Sequence, residues 1–548
     1  MQPVLAGVAA GIMLLVLPGC CIPKLSGPEP GQALPGTFNG AVSSENSSQV
    51  SINDFFHDPV LTQLIAQGLA QNQELKIRNQ EIEIANNEIR ARRGAYLPFI
   101  TGGGGGGFDR HSLFTPLGAA EDQLTYPGGG RFPDPVPNVG LGLNLDWELD
   151  IWRRLRNARD AAVQRYYEAI DARDYLITRL VAEIAENYYE LAALDKRLVF
   201  LEQTIALQER SLLVAKFQKR AARGTELGVQ RFLGEVRKNE SQRLILRQRI
   251  IEVENRINFL AGRYPQPVDR MRWDYIRLDS RLLSVGVPAQ LLRNRRDIRA
   301  ADREVAASGL DVQVARANFF PRVSITAGVG FEAFNPRYLF DPGALCANAT
   351  GNLVAPLINK AAIRAEYLSA NARQLQAVYN YQRTVLNAFT EVVNQMAKVE
   401  NYRGSVTIKG QQVRALEESV SVATDLFNLA NPEVEYMDVL FSQRDLLEAR
   451  TVLIETKQQQ LSAIVNAYQA LGGGWLLGPP EPGFPAVLPG PGQPDAEQKD
   501  PPPMPPQRPD PVDGVEDLPA PGDDNPPADD NATSRVPPLD AVSLLPAR

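Results

Sequence analysis

Apolar and polar residues alternate with a period of two in three separate stretches of the chain. In the clearest one, between Val323 and Phe331, every second residue is apolar and the residues between them are serine, threonine or glycine. This period is typical of a half-buried β-strand. The same alternation runs from Val139 to Trp147 and, with smaller apolar residues, from Leu345 to Ala355. The sequence therefore predicts a strand at each of the three positions.

A run of six glycines, Gly102–Gly107, is the least specific of the candidate strands. A phosphate-binding loop requires glycines between a strand and a helix, followed by Lys-Ser or Lys-Thr. Here the run follows a helical pattern and precedes a loop rich in proline and glycine, from Arg110 to Asn138. We therefore interpret the run as a weakly specified strand and exclude nucleotide binding.

Two long regions show the three- and four-residue spacing of helices. From Arg153 to Ala222 a continuous helix would reach roughly 100 Å at 1.5 Å per residue, and a second helix returns from the break at Gly224 and Gly228 to Gly262. A similar pair runs from Ala361 to Gly472, with a turn near Asn431 and Pro432. The first pair carries a heptad-like apolar seam, which consists of Leu191, Leu194, Leu198, Leu201, Ile205 and Leu212.

The two halves of the chain repeat each other. A helical stretch ends before Pro98 and another before Pro321, where proline removes a donor and disfavours helix in its predecessor. Superposing the two prolines, 223 residues apart, aligns several matched residue types without a gap. The pairs are Leu75 with Ile298, Glu81 with Glu304, Ile82 with Val305, Ile89 with Val312, Arg93 with Arg316, Tyr96 with Phe319 and Gly107 with Gly330. A period this long indicates duplicated halves, with repeats at 51–262 and 285–475 joined by a linker at 263–284.

The two ends of the chain differ from its body. Fourteen uncharged residues, Val4–Leu17, precede Gly19 and Cys20, which predicts a signal peptide at 1–19. A small residue before Cys20 resembles a bacterial lipobox, in which the cysteine is acylated; cleavage near Gly19 without lipidation is the alternative. Residues 20–50 are predicted to form an extended tether. The final segment, 476–548, is rich in proline and acidic residues and is predicted to be disordered.

Composition excludes several classes of function. The net charge is -7, but residues 479–548 contain 13 acidic and 4 basic residues, so the remainder is close to neutral and favours no nucleic-acid partner. Three cysteines and two histidines provide neither a disulfide framework nor a metal-ligand spacing. Because no nucleophile–base set or carboxylate pair occurs at a usable spacing, we expect no enzyme activity, cofactor or metal.

Four motifs resemble the TolC family of outer membrane efflux proteins, in particular its lipoprotein branch. The resemblance covers roughly residues 51–475, and Arg296 stands where the family usually has proline. The motifs are VPAQLLRNRRDIRAADREV (287–305), DWELDIWRRLRNARDAA (146–162), VAEIAENYYELAALDKRL (181–198) and EYMDVLFSQRDLLEA (435–449).

The resemblance implies an α+β membrane protein that acts as an efflux conduit. Four strands per chain are too few to close a barrel, for which eight is the usual minimum. A homotrimer would supply a 12-stranded outer membrane β-barrel, continued by a periplasmic α-barrel of long helical hairpins. The family's partners are outer membrane lipid, a periplasmic adaptor (membrane fusion) protein and an inner-membrane pump, and its cargo is drugs, metals or other small molecules. A lipid-anchored coiled-coil scaffold of the cell envelope is the alternative, although it leaves the alternating strands unexplained.

Few functional residues transfer from the resemblance. Asp438 matches an aspartate near the family's periplasmic aperture, where three-fold symmetry would create a carboxylate ring; a solvated aspartate favoured by the helix dipole is the alternative. Phe441 stands where some members have a second aspartate, which implies a partly hydrophobic constriction. The hairpin turns correspond to adaptor-docking surfaces, and their candidate residues are Arg223, Gly224, Thr225, Asn431 and Pro432.

Overall fold

The computed structural model describes residues 22–40, 47–126, 129–271, 286–356, 360–429 and 434–474, all within one compact unit, Met1–Glu481. The predicted signal peptide, Cys20, the tail, Asn431 and Pro432 lie outside the described residues. In chain order, the helices and strands are α1 (Ile52–Phe56), α2 (Pro59–Gln71), α3 (Gln73–Gly94), β1 (Phe99–Asp109), α4 (Pro116–Gln123), β2 (Val136–Leu149), α5 (Arg154–Arg220), α6 (Glu226–Leu260), α7 (Leu291–Asn294), α8 (Arg296–Ala317), β3 (Arg322–Ala333), β4 (Leu345–Val354), α9 (Ala361–Asn428) and α10 (Tyr436–Ala470).

The same sequence of elements occurs twice. A helix of 22 residues, α3 or α8, leads into a strand pair. A helix of 67 residues (α5) or 68 residues (α9) follows, and a helix of 35 residues, α6 or α10, returns beside it. This near-identity of lengths is the arrangement expected of a tandem duplication.

The four predicted strands form one antiparallel sheet in the order β1-β2-β3-β4. The glycine run is strand β1, as its interpretation required. The register places apolar residues beside apolar residues: Leu143 lies opposite Val329, and Val329 lies opposite Ala347. Because side chains alternate between faces, this register gives the sheet one apolar and one polar face.

The helices next to the sheet follow the order of its strands. Helix α3 packs on α5, α5 on α8, and α8 on α9. These helices adjoin strands β1, β2, β3 and β4 in the chain, so they lie in the same order as the strands. Farther from the sheet, α6 and α10 replace α3 and α8 as the neighbours of the long helices. The predicted leucine seam is buried there, with Leu191 fully enclosed and Leu198 partly buried.

Two equivalent joints connect the helices end to end. Asn72 precedes α3, accepts the backbone N–H groups of Glu74 and Leu75, and donates from its amide to the Leu260 carbonyl at the end of α6, at 2.9 Å. Arg295 precedes α8 and donates to the Ala470 carbonyl at the end of α10, at 3.1 Å. The 223-residue offset relates Asn72 to Arg295, so both repeats use one position to satisfy an orphan helix-end carbonyl.

Two sequence expectations need correction. The loop at 110–138 contains helix α4, which Thr115 caps by accepting the Gly118 N–H. Gly228 lies inside α6 instead of breaking it, and is buried.

Residues 22–40, here called the N-terminal strap, run along α9 without helix or strand. Ile22 and Leu25 pack near Tyr367, beside the sheet end of α9. Farther along, Phe38 is 3% exposed and stacks on Phe389 with ring centroids 5.4 Å apart. The sequence indicated only a tether, whereas these contacts bind the strap to the helical body.

Candidate functional site

The apolar face of the sheet is uncovered. Leu141, Leu143, Val329, Leu345 and Leu353 are each about half exposed. Exposed apolar side chains grouped on one face mark an interaction surface, so this face is a candidate contact surface for a nonpolar environment. No helix among the described residues has the length and apolar character needed to cross a membrane.

The turn between α5 and α6 is a tight, fully exposed hairpin end. Ala222 has a φ of 58°, the Arg223 N–H donates to the Gln218 carbonyl at 2.8 Å, and the Ala222 N–H donates to the Lys219 carbonyl. These two bonds form a Schellman motif, in which glycine usually takes the left-handed position. Thr225 then caps α6 by accepting the Gly228 N–H at 3.2 Å.

The candidate docking residues Arg223, Gly224 and Thr225 therefore lie together on an exposed turn. Every residue from Ala221 to Leu227 is exposed, and Leu227 presents more than half of its surface. The Lys219–Glu226 ion pair closes the turn from the side. Such a turn offers backbone groups, one apolar side chain and mixed charge to a partner.

The ends of the two long hairpins pack against each other through one hydrophobic group, here called the tip cluster. The amide of Gln218 donates to the Phe427 carbonyl across it at 3.1 Å. A Cβ atom at Gly228 would approach the Tyr436 ring to 3.3 Å, so glycine permits this close contact. The buried members of the cluster are Leu212, Ala215, Val229, Phe232, Phe427, Val439 and Leu440.

Asp438 lies in the first turn of α10 beside this cluster. Its carboxylate accepts the Glu435 N–H at 2.8 Å, and its side chain remains exposed. Phe441, one turn later, is 44% exposed, and the Arg444 guanidinium lies 5.0 Å from its ring centroid. Asp438 therefore has the helix-capping contact and is still accessible to solvent, whereas the cation beside Phe441 was not identified from the sequence.

Buried amides and hydroxyls interrupt the apolar packing above the tip cluster. Asn239 of α6 donates to Gln208 of α5 at 2.8 Å, and Gln443 of α10 donates to Ser211 of α5 at 3.2 Å. All four side chains are buried. The sequence analysis did not identify this polar layer; the three-residue spacing of Gln208 and Ser211 beside the leucine seam is the signal that could have predicted it. These hydrogen bonds connect α5 to both α6 and α10 at one level of the hairpins.

A dense charge network lies at the joint of the second repeat. The buried Arg295 donates to Asp297 at 2.6 Å and to Glu391 at 2.7 Å. Burial alone would lower the pKa of Arg295, but the hydrogen bonds and charges of these two carboxylates raise it above its usual range. Arg296 points the other way and reaches Asp171 of α5 at 3.0 Å, so adjacent arginines join α8 to three other helices.

A pair of carboxyl groups faces across the α5–α8 contact. Burial, together with the charge and hydrogen bond of Glu304, raises the pKa of Glu168 to about 7. Arg165 lies near both, 3.6 Å from Glu304 and paired with Asp311. Glu168 therefore retains a proton to a pH at which ordinary glutamates are ionised. Within the described ranges, no group of three or more His, Cys, Asp or Glu side chains is arranged to hold a metal ion.

Comparison with known proteins gives consistent results. A family model described as outer membrane efflux protein matches residues 64–263 and 287–473. The solvent efflux pump outer membrane protein SrpC of Pseudomonas putida is 26% identical over 85% of this chain and 97% of its own. The cation efflux system protein CusC of Escherichia coli is 24% identical over 84% of this chain and 97% of its own.

A solved structure of related fold is the open state of the MtrE outer membrane channel of Neisseria gonorrhoeae. It is 22% identical, covers 83% of this chain and 98% of its own, and superposes with a TM-score of 0.69. At this identity the likeness establishes the fold alone.

Proposed function

The chain belongs to the outer membrane efflux protein family, and on that premise we propose that it is the outer membrane channel of a tripartite efflux system. It is a conduit and not an enzyme. In this proposal three identical chains form a tunnel that exports small molecules, drugs or metals, across the periplasm and the outer membrane.

The single observation that carries the proposal is the four-stranded sheet with its uncovered apolar face. Among the described residues, β1 and β4 each pair on one side only, and unpaired strand edges invite pairing with another chain. Three copies joined from β4 to β1 would give the 12 strands of a closed barrel, with the half-exposed leucines facing lipid and the polar face lining the passage.

The long helices support the same assembly. Apolar side chains such as Leu244 and Phe259 on α6, and Leu386 and Ile408 on α9, are more than half exposed in the single chain. Contact between α6 and α9 of neighbouring copies would bury them and continue the strand barrel as a helical barrel.

The position of the N-terminal strap supports acylation of Cys20. Ile22 and Leu25 pack with Phe319 and Ile363, residues that adjoin strand β3 and the start of α9. Cys20 precedes Ile22 by two residues, so a lipid on its sulfur would lie close to the sheet, where the barrel would enter the membrane. The strap would then fix the helical body to the bilayer surface.

The hairpin ends are proposed as the docking surface for a periplasmic adaptor protein, which in turn engages an inner-membrane pump. Arg223, Gly224 and Thr225 form the exposed part of this surface, and Asn431 and Pro432 are proposed to complete it. Beside it, Asp438 would form a ring of three carboxylates in the trimer, with Phe441 narrowing the passage one turn above.

Single-channel conductance of detergent-purified protein in planar bilayers tests the proposal. We compare the wild-type protein with Asp438→Asn, which removes the charge but keeps an acceptor for the Glu435 N–H, and with Asp438→Ala, which removes both. Discrete steps with a cation preference that both variants lose would support the channel and the ring.

Other outcomes distinguish the remaining hypotheses on Asp438 and on the coiled-coil scaffold. Steps with unchanged selectivity in Asp438→Asn would retain the channel and exclude Asp438 as its filter. If no steps appear and the detergent-corrected mass is that of one chain, the coiled-coil scaffold would replace the channel.

A further inference from the structure

The arginine-rich stretch at the start of α8 borders a cleft that the conduit function does not use. Its volume is about 500 Å³, within the range of small-molecule sites. It lies where α7 and α8 meet two short 3₁₀ turns, Ser47–Gln49 and Pro288–Gln290. The lining residues are Gln49, Gln290, Leu292, Arg293, Asn294, Arg299 and Arg303.

The composition of this lining favours an anion. Among the described residues that line the cleft there are three guanidinium groups, three amides and one leucine, and no carboxylate. Guanidinium groups bind carboxylate and phosphate oxygens in pairs of parallel hydrogen bonds. The Asn294 amide donates one N–H to Ser48 at 3.1 Å, and an NH₂ group carries a second N–H that can reach a ligand.

The positive charge at the cleft is only partly neutralised. Arg299 lies 3.3 Å and Arg303 lies 3.9 Å from the buried carboxylate of Asp171, which Arg296 also contacts. Arg296 also lies 3.8 Å from Asp174, so three guanidinium groups share two carboxylates. Arg293 is exposed and forms no ion pair with the residues that the structure describes.

The start of α8 adds to this field. The helix has 22 residues, and its dipole places partial positive charge at its first turn, part of which Asp297 offsets by accepting the Ile298 N–H at 2.9 Å. Arg299 lies in that turn and Arg303 lies one turn later. Helix start, arginines and amides thus act on the same space.

We propose that this cleft binds a small multivalent anion through phosphate or carboxylate oxygens. Arg293 contacts the ligand from α7, and Arg299 and Arg303 contact it from α8. Because Gln49 of the N-terminal 3₁₀ turn also lines the cleft, the bound anion also joins that turn to α8. This inference does not depend on channel formation.

Isothermal titration calorimetry of the full chain in detergent, with inorganic pyrophosphate and with citrate, tests the proposal. Arg293 is the one arginine lining the cleft that does not contact Asp171, so the substitution Arg293→Gln leaves the Asp171 contacts intact. We expect its dissociation constant for the bound anion to rise about tenfold, the loss of one charge-assisted hydrogen bond. Arg316→Gln is the matched control, because Arg316 is exposed, lies on the adjoining helix α8 and is outside the cleft.

The two anions identify the preferred chemistry. Arg293-dependent binding of pyrophosphate alone assigns phosphate groups as the ligand, and Arg293-dependent binding of citrate alone assigns carboxylates. The proposal is overturned if neither anion binds, or if Arg293→Gln and Arg316→Gln weaken binding equally, because the effect would then reflect net charge alone.

Discussion

Replacing Glu168 by glutamine should stabilise the protein in a pH-dependent manner. Burial and the neighbouring Glu304 raise the pKa of Glu168 from 4.5 to about 7, and glutamine mimics the protonated form. A pKa difference of this size corresponds to about 3 kcal/mol. Since Glu168 is only partly buried, solvent screening reduces the effect, and we expect about 1–2 kcal/mol.

The sign follows from proton binding. Between pH 4.5 and 7 the folded state holds a proton on Glu168 that the unfolded state has released, so the stabilising contribution is complete below pH 4.5 and is lost as the pH rises through 7. Glu168→Gln should therefore match the wild-type free energy of unfolding at pH 4.5 and exceed it at pH 8. Arg165 faces the same pair and is charged throughout this range, so it does not reverse the sign.

Denaturant unfolding at several pH values, followed by circular dichroism, measures the difference. Glu209→Gln is the control, because it removes an exposed carboxylate from the same helix. If the Glu168→Gln variant is only as stable as the wild-type protein at pH 8, or less stable, then the ionised Glu168 does not destabilise the folded state, and the prediction is wrong.

Three further substitutions test the sheet, the strap and the joint. Gly330→Ala should cost about 1–3 kcal/mol and lower the yield of folded protein, because its Cβ would lie 2.5 Å from a backbone carbonyl of the neighbouring strand, whereas Gly351→Ala, with open space around its Cβ, should fold normally. Phe38→Ala should speed tryptic cleavage after Lys24 several-fold and leave the thermal midpoint nearly unchanged, since the strap can detach locally; a large fall in the midpoint would contradict local detachment. Arg295→Lys should lower the free energy of unfolding by about 1–3 kcal/mol and therefore the thermal midpoint, because an ammonium group cannot replace the paired contacts of the guanidinium. An unchanged midpoint would show that the joint is not stabilising.

The strands were accessible from the sequence because their alternation has a period of two over nine or more residues. The glycine run could also be interpreted as a strand, since the sequence on either side of it does not match a phosphate-binding loop. Helix α4 was missed because proline and glycine on either side of it predict a loop, and the capping role of Thr115 is a weak signal over eight residues. Its eight residues are also too short for a periodic pattern to emerge.

The functional residues were predicted unevenly for a related physical reason. Arg223 to Thr225 lie between two strongly periodic helices, so their position on an exposed turn followed directly. Asp438 was identified from a motif, but its capping contact depends on local geometry that no spacing specifies. The roles of Asn72 and Arg295 depend on helix ends that are about 175 residues or more away in the chain, and a pattern within one segment contains no information about such contacts.

The two hairpins have matched lengths, and together they set the distance that the protein spans. Because α5 and α9 differ by one residue, and α6 and α10 by none, the helices of the two hairpins reach the same level, where the tip cluster joins them. Removing seven residues from α5 and α6 alone would raise one turn by about 10 Å relative to the other. The same removal from all four helices would keep the turns level and shorten the distance that the protein spans. Evolution can therefore adjust this reach only by changing both repeats together.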